Sequence, residues 1–149
     1  MKAREIMTSN PSVVTPDEPV SRAAELMREL NVGLLPVVDD RSSMRLQGVI
    51  TDRDLAIRCV AEKHDAGCPV RNHMTTNRID TVRPDTDVSE VMQTMEREQV
   101  RRIPVVNDDA QLTGIIAQAD IALRLTNKDP KQVANVVERV SEPVKQKQM

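Results

Sequence analysis

The order of apolar and polar positions along the first half of the chain predicts five short elements. A β-rich run at 12–15 is followed by an apolar stripe at helical spacing after Pro19. Near-continuous aliphatic runs at 35–39 and 46–51 predict two strands covered on at least one face, and a helix is expected from about Asp52. The helical stripe after Pro19 consists of Ala23, Ala24, Leu26, Met27 and Leu30. The predicted order is strand, helix, strand, strand, helix.

The second half of the chain repeats this pattern. Shifting the sequence by 66 to 68 residues places Met7-Thr8 on Met74-Thr75 and Gly48 on Gly114. Matches at glycine and proline, whose backbone demands are special, indicate duplication rather than chance. The second copy predicts a helix face of Val88, Val91, Met92 and Met95, strands at 102–106 and 111–116, and a helix from about Gln118.

Two βαββα repeats predict an α/β (α+β) fold in which the copies pack with pseudo-two-fold symmetry, because a unit of about 60 residues is marginal alone. We expect repeat 1 at 1–62, a linker at 63–69 and repeat 2 at 70–126. Residues 127–149 are expected to form a C-terminal helix, starting near Asp129, and a tail. A ligand could bind in the clefts between the repeats.

Composition narrows the classes of function. The chain has 149 residues, 39% of them hydrophobic, with 21 basic and 23 acidic residues and a net charge of −2. Nucleic-acid binding is therefore disfavoured, since no general positive field exists and Phe, Tyr and Trp are absent. The chain has no apolar stretch of membrane-spanning length and only two cysteines, which predicts a cytoplasmic location without membrane contact.

The segment 48–54, Gly-Val-Ile-Thr-Asp-Arg-Asp, lies where a strand is predicted to end and a helix to begin. A helix start offers unpaired backbone N–H groups to a phosphate. Thr51 adds a hydroxyl, Arg53 a cation, and Asp54 a carboxylate that can accept hydrogen bonds from two ribose hydroxyls. The alternative is a capping arrangement of Thr51 and Asp54 that needs no ligand.

The equivalent segment of the second copy, 114–120, helps to distinguish ligand binding from helix capping. It has Ala117 in place of the threonine and keeps Asp120 at the position of the second aspartate. Because alanine cannot cap a helix through its side chain, we expect that helix capping alone does not explain the repeated aspartate.

The duplicated Met-Thr opening, the Pro-Val-Val strands at 36–38 and 104–106, and the glycine-to-aspartate segment 48–54 together resemble the paired cystathionine-β-synthase (CBS) domains, or Bateman module. The resemblance covers about residues 3–125 and includes small bacterial proteins that consist of little else. It implies an adenosyl-binding cleft between repeats, in which Asp54 holds ribose and Thr51 contacts sugar or phosphate.

The resemblance implies two sites of unequal strength. The stronger would be formed by Ile50, Thr51, Arg53, Asp54, Ile79, Asp80, Arg101, Arg102 and Pro104, with both arginines facing the phosphates. The weaker would be formed by Ser12, Val13, Pro36, Ile116 and Asp120. The second is expected to be weaker because Ala117 supplies no hydroxyl, and because Gly33 and Leu34 stand where the other copy has the two arginines.

All cysteines and histidines fall in one short stretch, which raises the question of a metal site. They are Cys59, His64, Cys68 and His73. Their spacing matches no usual paired-ligand pattern, Cys59 is expected to be a small buried residue of a helix, and His73 takes the place of apolar Ile6. The favoured prediction is therefore no metal, and the four residues stay a minor candidate set.

The sequence shows no activated nucleophile and no glycine-rich phosphate loop, so the enzyme hypothesis is disfavoured. The favoured hypothesis is a regulatory module that senses an adenine nucleotide and signals by a conformational change, with no catalytic cofactor. Candidate ligands are AMP, ADP and ATP, followed by NAD and S-adenosylmethionine. The resemblance implies a homodimer, and an unidentified effector protein would respond. The alternative is a ligand-independent dimerisation or adaptor protein; nucleic-acid binding through Arg97, Arg101 and Arg102 ranks third.

Overall fold

The computed structural model describes residues 1–125 and, beyond them, residues 131, 134, 135, 137 and 138. The predicted C-terminal helix and tail, 127–149, therefore lie largely outside the described residues. Within the described part of the chain, no helix is both long and apolar enough to cross a membrane.

Each copy contains the predicted helix, two strands and closing helix, and the short helix and short strand at the start of the chain, Ala3–Ile6 and Thr8–Ser9, were not predicted. Their bounds are α1 Ala3–Ile6, β1 Thr8–Ser9, α2 Val20–Leu30, β2 Leu34–Val38, β3 Leu46–Thr51, α3 Asp52–Asp54 with a π-helical continuation Leu55–Val60, a 3₁₀ turn Val70–Asn72, α4 Val88–Glu98, β4 Arg102–Val106, β5 Leu112–Ala117 and α5 Gln118–Leu125. The succession of helix, strand, strand, helix occurs twice, which confirms the mixed α+β fold.

The predicted strand at the start of each copy is reduced to a single bridge. Val14 pairs in parallel with Val37, and its amide donates to the carbonyl of Pro36 at 3.1 Å. Val82 makes the equivalent bridge to Val105 in the second copy. In the first copy, Pro11 and Pro16 flank the run, and proline removes the amide donor that a longer ladder needs. The predicted strand over 12–15 was therefore wrong in extent.

The chain forms two compact units, and these do not coincide with the sequence repeats. Among the described residues, the first-copy unit contains 10–79 and 107–112, and the second-copy unit contains 1–9, 80–106 and 113–125. The opening segment of each repeat thus belongs to the unit built mainly from the other repeat. A repeat alignment detects common ancestry but carries no information about this exchange.

The first-copy unit is built on an antiparallel pair of strands. Strands β2 and β3 place Leu34 opposite Thr51 and Pro36 opposite Val49. The helical stripe predicted for α2 is buried at Ala23, Leu26 and Met27, whereas Ala24 and Leu30 are exposed. The core cluster consists of Val14, Val20, Ala23, Leu26, Met27, Leu35, Val37, Ile50, Cys59 and Val70.

The second-copy unit is built on a three-stranded sheet of order β1-β5-β4. The short strand β1 pairs antiparallel with β5, which places Thr8 opposite Ile115. The predicted face of α4, formed by Val88, Val91, Met92 and Met95, is entirely buried. The core cluster also includes Ala3, Ile6, Val82, Ile103, Val105, Ile116 and Ile121.

Candidate functional site

Asp54 lies at the start of the closing helix of the first copy, directly after the buried strand β3. The hydroxyl oxygen of Thr51 accepts from the amide of Asp54 at 3.0 Å, and Oδ2 of Asp54 accepts from the amide of Thr51 at 3.0 Å. The two side chains therefore form a reciprocal capping box. The ligand-free role considered for these residues is present in the structure.

Two further groups approach the Asp54 carboxylate. The hydroxyl of Thr75 lies 3.2 Å from each of its oxygens, and Nε of Arg58 lies 3.7 Å from Oδ1. Asp54 is only 8% exposed. A carboxylate has about four lone-pair sites, of which the amide of Thr51 and the hydroxyl of Thr75 need two. Acceptor capacity therefore remains for a ligand that reaches the exposed edge of the group.

The second copy contains half of the capping box. Oδ2 of Asp120 accepts from the amide of Ala117 at 2.8 Å. The expectation that helix capping alone does not explain the repeated aspartate was therefore wrong, because the carboxylate caps the helix without any hydroxyl three residues earlier. Asp120 is partly exposed, whereas Asp54 is buried.

The prediction that unpaired backbone amides at the start of α3 bind a phosphate was also wrong. The amide of Asp52 donates to the carbonyl of Gly33 at 2.9 Å, and that of Arg53 donates to Oδ1 of Asp52 at 2.8 Å. The amide of Asp54 is used by Thr51. Because all three amides have partners within the protein, a bound phosphate would have to be neutralised by cationic side chains instead.

Thr75 and Arg58 are site residues that the sequence interpretation missed. Nη1 of Arg58 donates to the carbonyl of Met74 at 3.3 Å, so this arginine links the aspartate to the opening segment of the second copy. In the second copy Arg124 likewise donates to a carbonyl, that of Glu5, at 3.4 Å. The sequence does contain a signal for Arg58: in both copies an arginine follows the aspartate by four residues, which is one helical turn.

The other predicted site residues are divided between the two units. In the first-copy unit Val13, Pro36 and Ile50 are buried, Ile79 is half-buried, and Ser12 and Arg53 are exposed. In the second-copy unit Pro104 and Ile116 are buried, Asp80 and Arg102 are half-buried, and Arg101 is exposed. The structure thus brings Ile50, Thr51 and Asp54 together along β3 and α3, and Ile116 and Asp120 along β5 and α5.

Asp80 is the predicted site residue with a displaced pKa. Burial raises the pKa of its carboxyl group above the usual range, and the nearby charge of Glu98 adds to the effect, while Arg97 opposes it. A half-buried carboxyl group beside another acid is a polar contact for a base edge, and it is ionised less readily than an ordinary aspartate.

Three of the four cysteine and histidine residues converge in the first-copy unit. Nδ1 of His64 lies 3.4 Å from Nε2 of His73, and that nitrogen lies 3.2 Å from Sγ of Cys68. The pKa of His73 is lowered, chiefly by burial and then by His64. Cys59 contributes no atom to this group, although its Sγ donates to the carbonyl of His64 at 3.7 Å; it is buried on the π-helical segment, as predicted, and burial raises the pKa of its thiol.

A family model described as the CBS domain matches residues 3–60 and 70–127. The chain belongs to the CBS-domain family. Asp54 lies in the first matched stretch and Asp120 in the second, so the two capping aspartates belong to different CBS domains and hold equivalent places in the repeat.

Relatives and solved structures agree with this assignment. The CBS domain-containing protein YhcV of Bacillus subtilis is 36% identical over 120 residues, which cover 80% of this chain and 82% of YhcV. A crystal structure of Hypoxic Response Protein I with two coordinated zinc ions is 35% identical, with a TM-score of 0.75, and the match covers 84% of this chain and 99% of that one.

Two further solved structures contain adenosyl compounds. CBSX2 in complex with AMP is 29% identical, with a TM-score of 0.73, and the match covers 85% of this chain and 96% of that one. The CBS domain pair of MJ0100, in complex with 5′-methylthioadenosine and S-adenosyl-L-methionine, is 26% identical, with a TM-score of 0.73 and coverage of 86% and 98%.

Proposed function

We propose that this CBS pair is a regulatory module that binds an adenosyl compound and performs no chemistry on it. The observation that carries the proposal is the carboxylate of Asp54, which is fixed at a strand-to-helix junction beside the aliphatic end of β3 and has acceptor capacity left. The AMP and S-adenosylmethionine complexes of related CBS pairs support the adenosyl class.

Each neighbouring side chain has a role in this proposal. Asp54 accepts hydrogen bonds from the ribose hydroxyls. The oxygen of Thr51 is used as an acceptor by the amide of Asp54, which leaves its O–H to donate to sugar or phosphate. Since the amides of α3 have partners, phosphate charge is met by side chains: Arg53 is exposed one residue away, and the family resemblance adds Arg101 and Arg102.

The sensing step follows from differential affinity. A ligand that favours one conformation of the pair over another shifts the population by the ratio of its affinities for the two. In the proposed function the chain acts as a homodimer, and an effector protein responds to the favoured conformation. Sedimentation equilibrium with and without AMP tests the dimer.

A ligand panel tests the proposed function. AMP, ADP, ATP, NAD and S-adenosylmethionine are added separately to the full chain, and thermal unfolding is followed by circular dichroism. A ligand at 100 times its dissociation constant stabilises by about 2.7 kcal/mol, which raises the midpoint of a chain of this size by about 5–10 °C. We expect at least one adenosyl compound to produce such a shift, with guanosine monophosphate as the control.

The purified protein offers a second test without added ligand. The chain contains no Trp, Tyr or Phe, so absorbance in the adenine band reports co-purified nucleotide directly. If the protein carries no such absorbance and no compound of the panel shifts its midpoint, the capping contacts suffice to explain Thr51 and Asp54. The adaptor function would then replace the sensing function.

A further inference from the structure

The cluster of His64, Cys68 and His73 has the geometry of a transition-metal site. One ligand atom from each of the three residues can be chosen so that all lie within 4.8 Å of one another. For Zn–N bonds of about 2.0–2.1 Å and Zn–S bonds of about 2.3 Å at tetrahedral angles, the ligand atoms are about 3.3–3.6 Å apart. The two short separations in the cluster, 3.4 and 3.2 Å, are close to these values.

Hydrogen bonding alone does not satisfy this cluster. Nε2 of His73 faces both a second imidazole nitrogen and a sulfur, yet a neutral imidazole nitrogen has either one lone pair or one hydrogen to offer. The other ring nitrogen of His73, Nδ1, takes no part in the cluster. One metal ion at Nε2 would use the lone pairs of both imidazoles and of the sulfur at once, which no assignment of hydrogen bonds among these three groups achieves.

We propose that His64, Cys68 and His73 bind one Zn²⁺ ion through two imidazole nitrogens and one thiolate. Two nitrogens and one sulfur form a ligand set that selects zinc over magnesium or calcium. On binding, the Cys68 thiol loses its proton to solvent, and the sulfur lone pair forms the bond to the ion. Nδ2 of Asn72 lies 3.5 Å from Sγ of Cys68 and donates to the sulfur.

The fourth coordination position faces an open cavity. A space of about 540 Å³ lies beside the cluster, lined by Lys63, His64, Asp65, Gly67, Cys68 and Asn72. Within the described residues the group contains no fourth His, Cys, Asp or Glu, so water takes the remaining position. His64 is exposed, so its side chain is free of the tight packing that would stop it from adjusting to the ion.

Binding of the ion would hold the turn that contains His64 and Cys68 against the segment that leads to Thr75, and Thr75 contacts Asp54 of the proposed ligand site. Cys68 and His64 lie in the turn after the π-helical segment, whereas His73 is two residues before Thr75. The inference does not depend on the proposed function, because none of the three ligands is assigned to the nucleotide site and the test below uses no nucleotide.

Cobalt substitution tests the site. The full chain is purified without an affinity tag, reduced, treated with a chelator, and titrated with Co²⁺ and then Zn²⁺. Since the chain has no aromatic residues, the near-ultraviolet band of a cobalt–thiolate bond is seen without protein background. We expect one equivalent of Co²⁺, a thiolate charge-transfer band, visible bands of tetrahedral intensity, and displacement by Zn²⁺.

Three variants assign the ligands. Cys68→Ser removes the charge-transfer band, His64→Gln weakens Co²⁺ binding at least about tenfold, and the matched control Cys59→Ala keeps both band and affinity. Buried His73 is left unchanged, and circular dichroism verifies that each variant folds. If the parent shows no such band, or if the band survives Cys68→Ser or is lost in Cys59→Ala, the site is refuted.

Discussion

The hydroxyl of Thr75 lies 3.2 Å from both carboxylate oxygens of Asp54. This contact joins the Met-Thr opening of the second CBS domain to the closing helix of the first, in one compact unit. The backbone of Thr75 is fixed as well, because its amide and carbonyl pair with Val49 at 2.8 and 3.0 Å. The candidate site thus depends on a residue that the repeat alignment assigns to the other domain.

Replacing Thr75 by valine should weaken the fold. The substitution keeps the shape of the side chain and removes the donor to the buried carboxylate, so we expect a loss of about 1 kcal/mol in the free energy of unfolding. Urea unfolding followed by circular dichroism measures it. Thr8→Val is the matched control, since Thr8 holds the same place in the first repeat and is exposed. Equal stability of the two variants would contradict the assigned contact.

The two capping aspartates should differ in their effect on stability. Asp54→Ala removes the partner of the Thr51 amide and leaves the hydroxyl of Thr75 without its acceptor, whereas Asp120→Ala removes the partner of the Ala117 amide. We expect Asp120→Ala to cost about 1 kcal/mol, as for a lost cap, and Asp54→Ala about twice that. Chemical denaturation measures both losses. A larger loss at Asp120 would mean that the Asp54 contacts do not stabilise the fold.

Gly48 should not tolerate a side chain. An added Cβ would lie 2.5 Å from the carbonyl oxygen of Thr75, which is backbone held in its own pairing. We expect Gly48→Ala to lower the free energy of unfolding by about 1–3 kcal/mol. In Gly67→Ala the new carbon would contact only Oδ1 of Asp65, at 3.2 Å, in an exposed turn. That control should be near neutral, and a thermal scan of the two variants compares them.

Most of the fold could be predicted from the sequence because its elements have strong local signals. Apolar spacing located α2 and α4, and the aliphatic runs located the strands. The strands that open each copy were predicted too long because the pattern does not report how a flanking proline limits pairing. The exchange of opening segments between units depends on tertiary packing against one of two similar partners, so local sequence patterns do not predict it.

The candidate site was predictable only in part. Thr51 and Asp54 were found together with their capping alternative, but the expectation for Ala117 failed because a carboxylate can cap a backbone amide without help. Thr75 could not be found from local sequence patterns because its contact is with Asp54, 21 positions away. His64, Cys68 and His73 were set aside on spacing, since an irregular turn brings them together rather than a regular element.

The raised pKa of Asp80 predicts a pH-dependent effect. A carboxyl group whose folded-state pKa lies above its unfolded value of 3.8 favours unfolding once it ionises, and this penalty disappears as the pH falls through the folded pKa. Asp80→Asn removes the penalty. We therefore expect the variant to have a higher thermal midpoint than the parent at pH 7, with the difference lost below the unfolded pKa. An unchanged midpoint at pH 7 would contradict the stated burial.

Isothermal titration of AMP into the full chain and into Asp54→Ala tests whether the carboxylate of Asp54 holds the ligand. Hydrogen bonds to a charged group are worth about 1.5–3 kcal/mol, so the variant should bind about tenfold or more weakly than the parent. Asp120→Ala, which also loses a helix cap, controls for the loss of stability and should weaken binding less. We predict that order of affinities. AMP binding to Asp54→Ala with the affinity of the parent would contradict it.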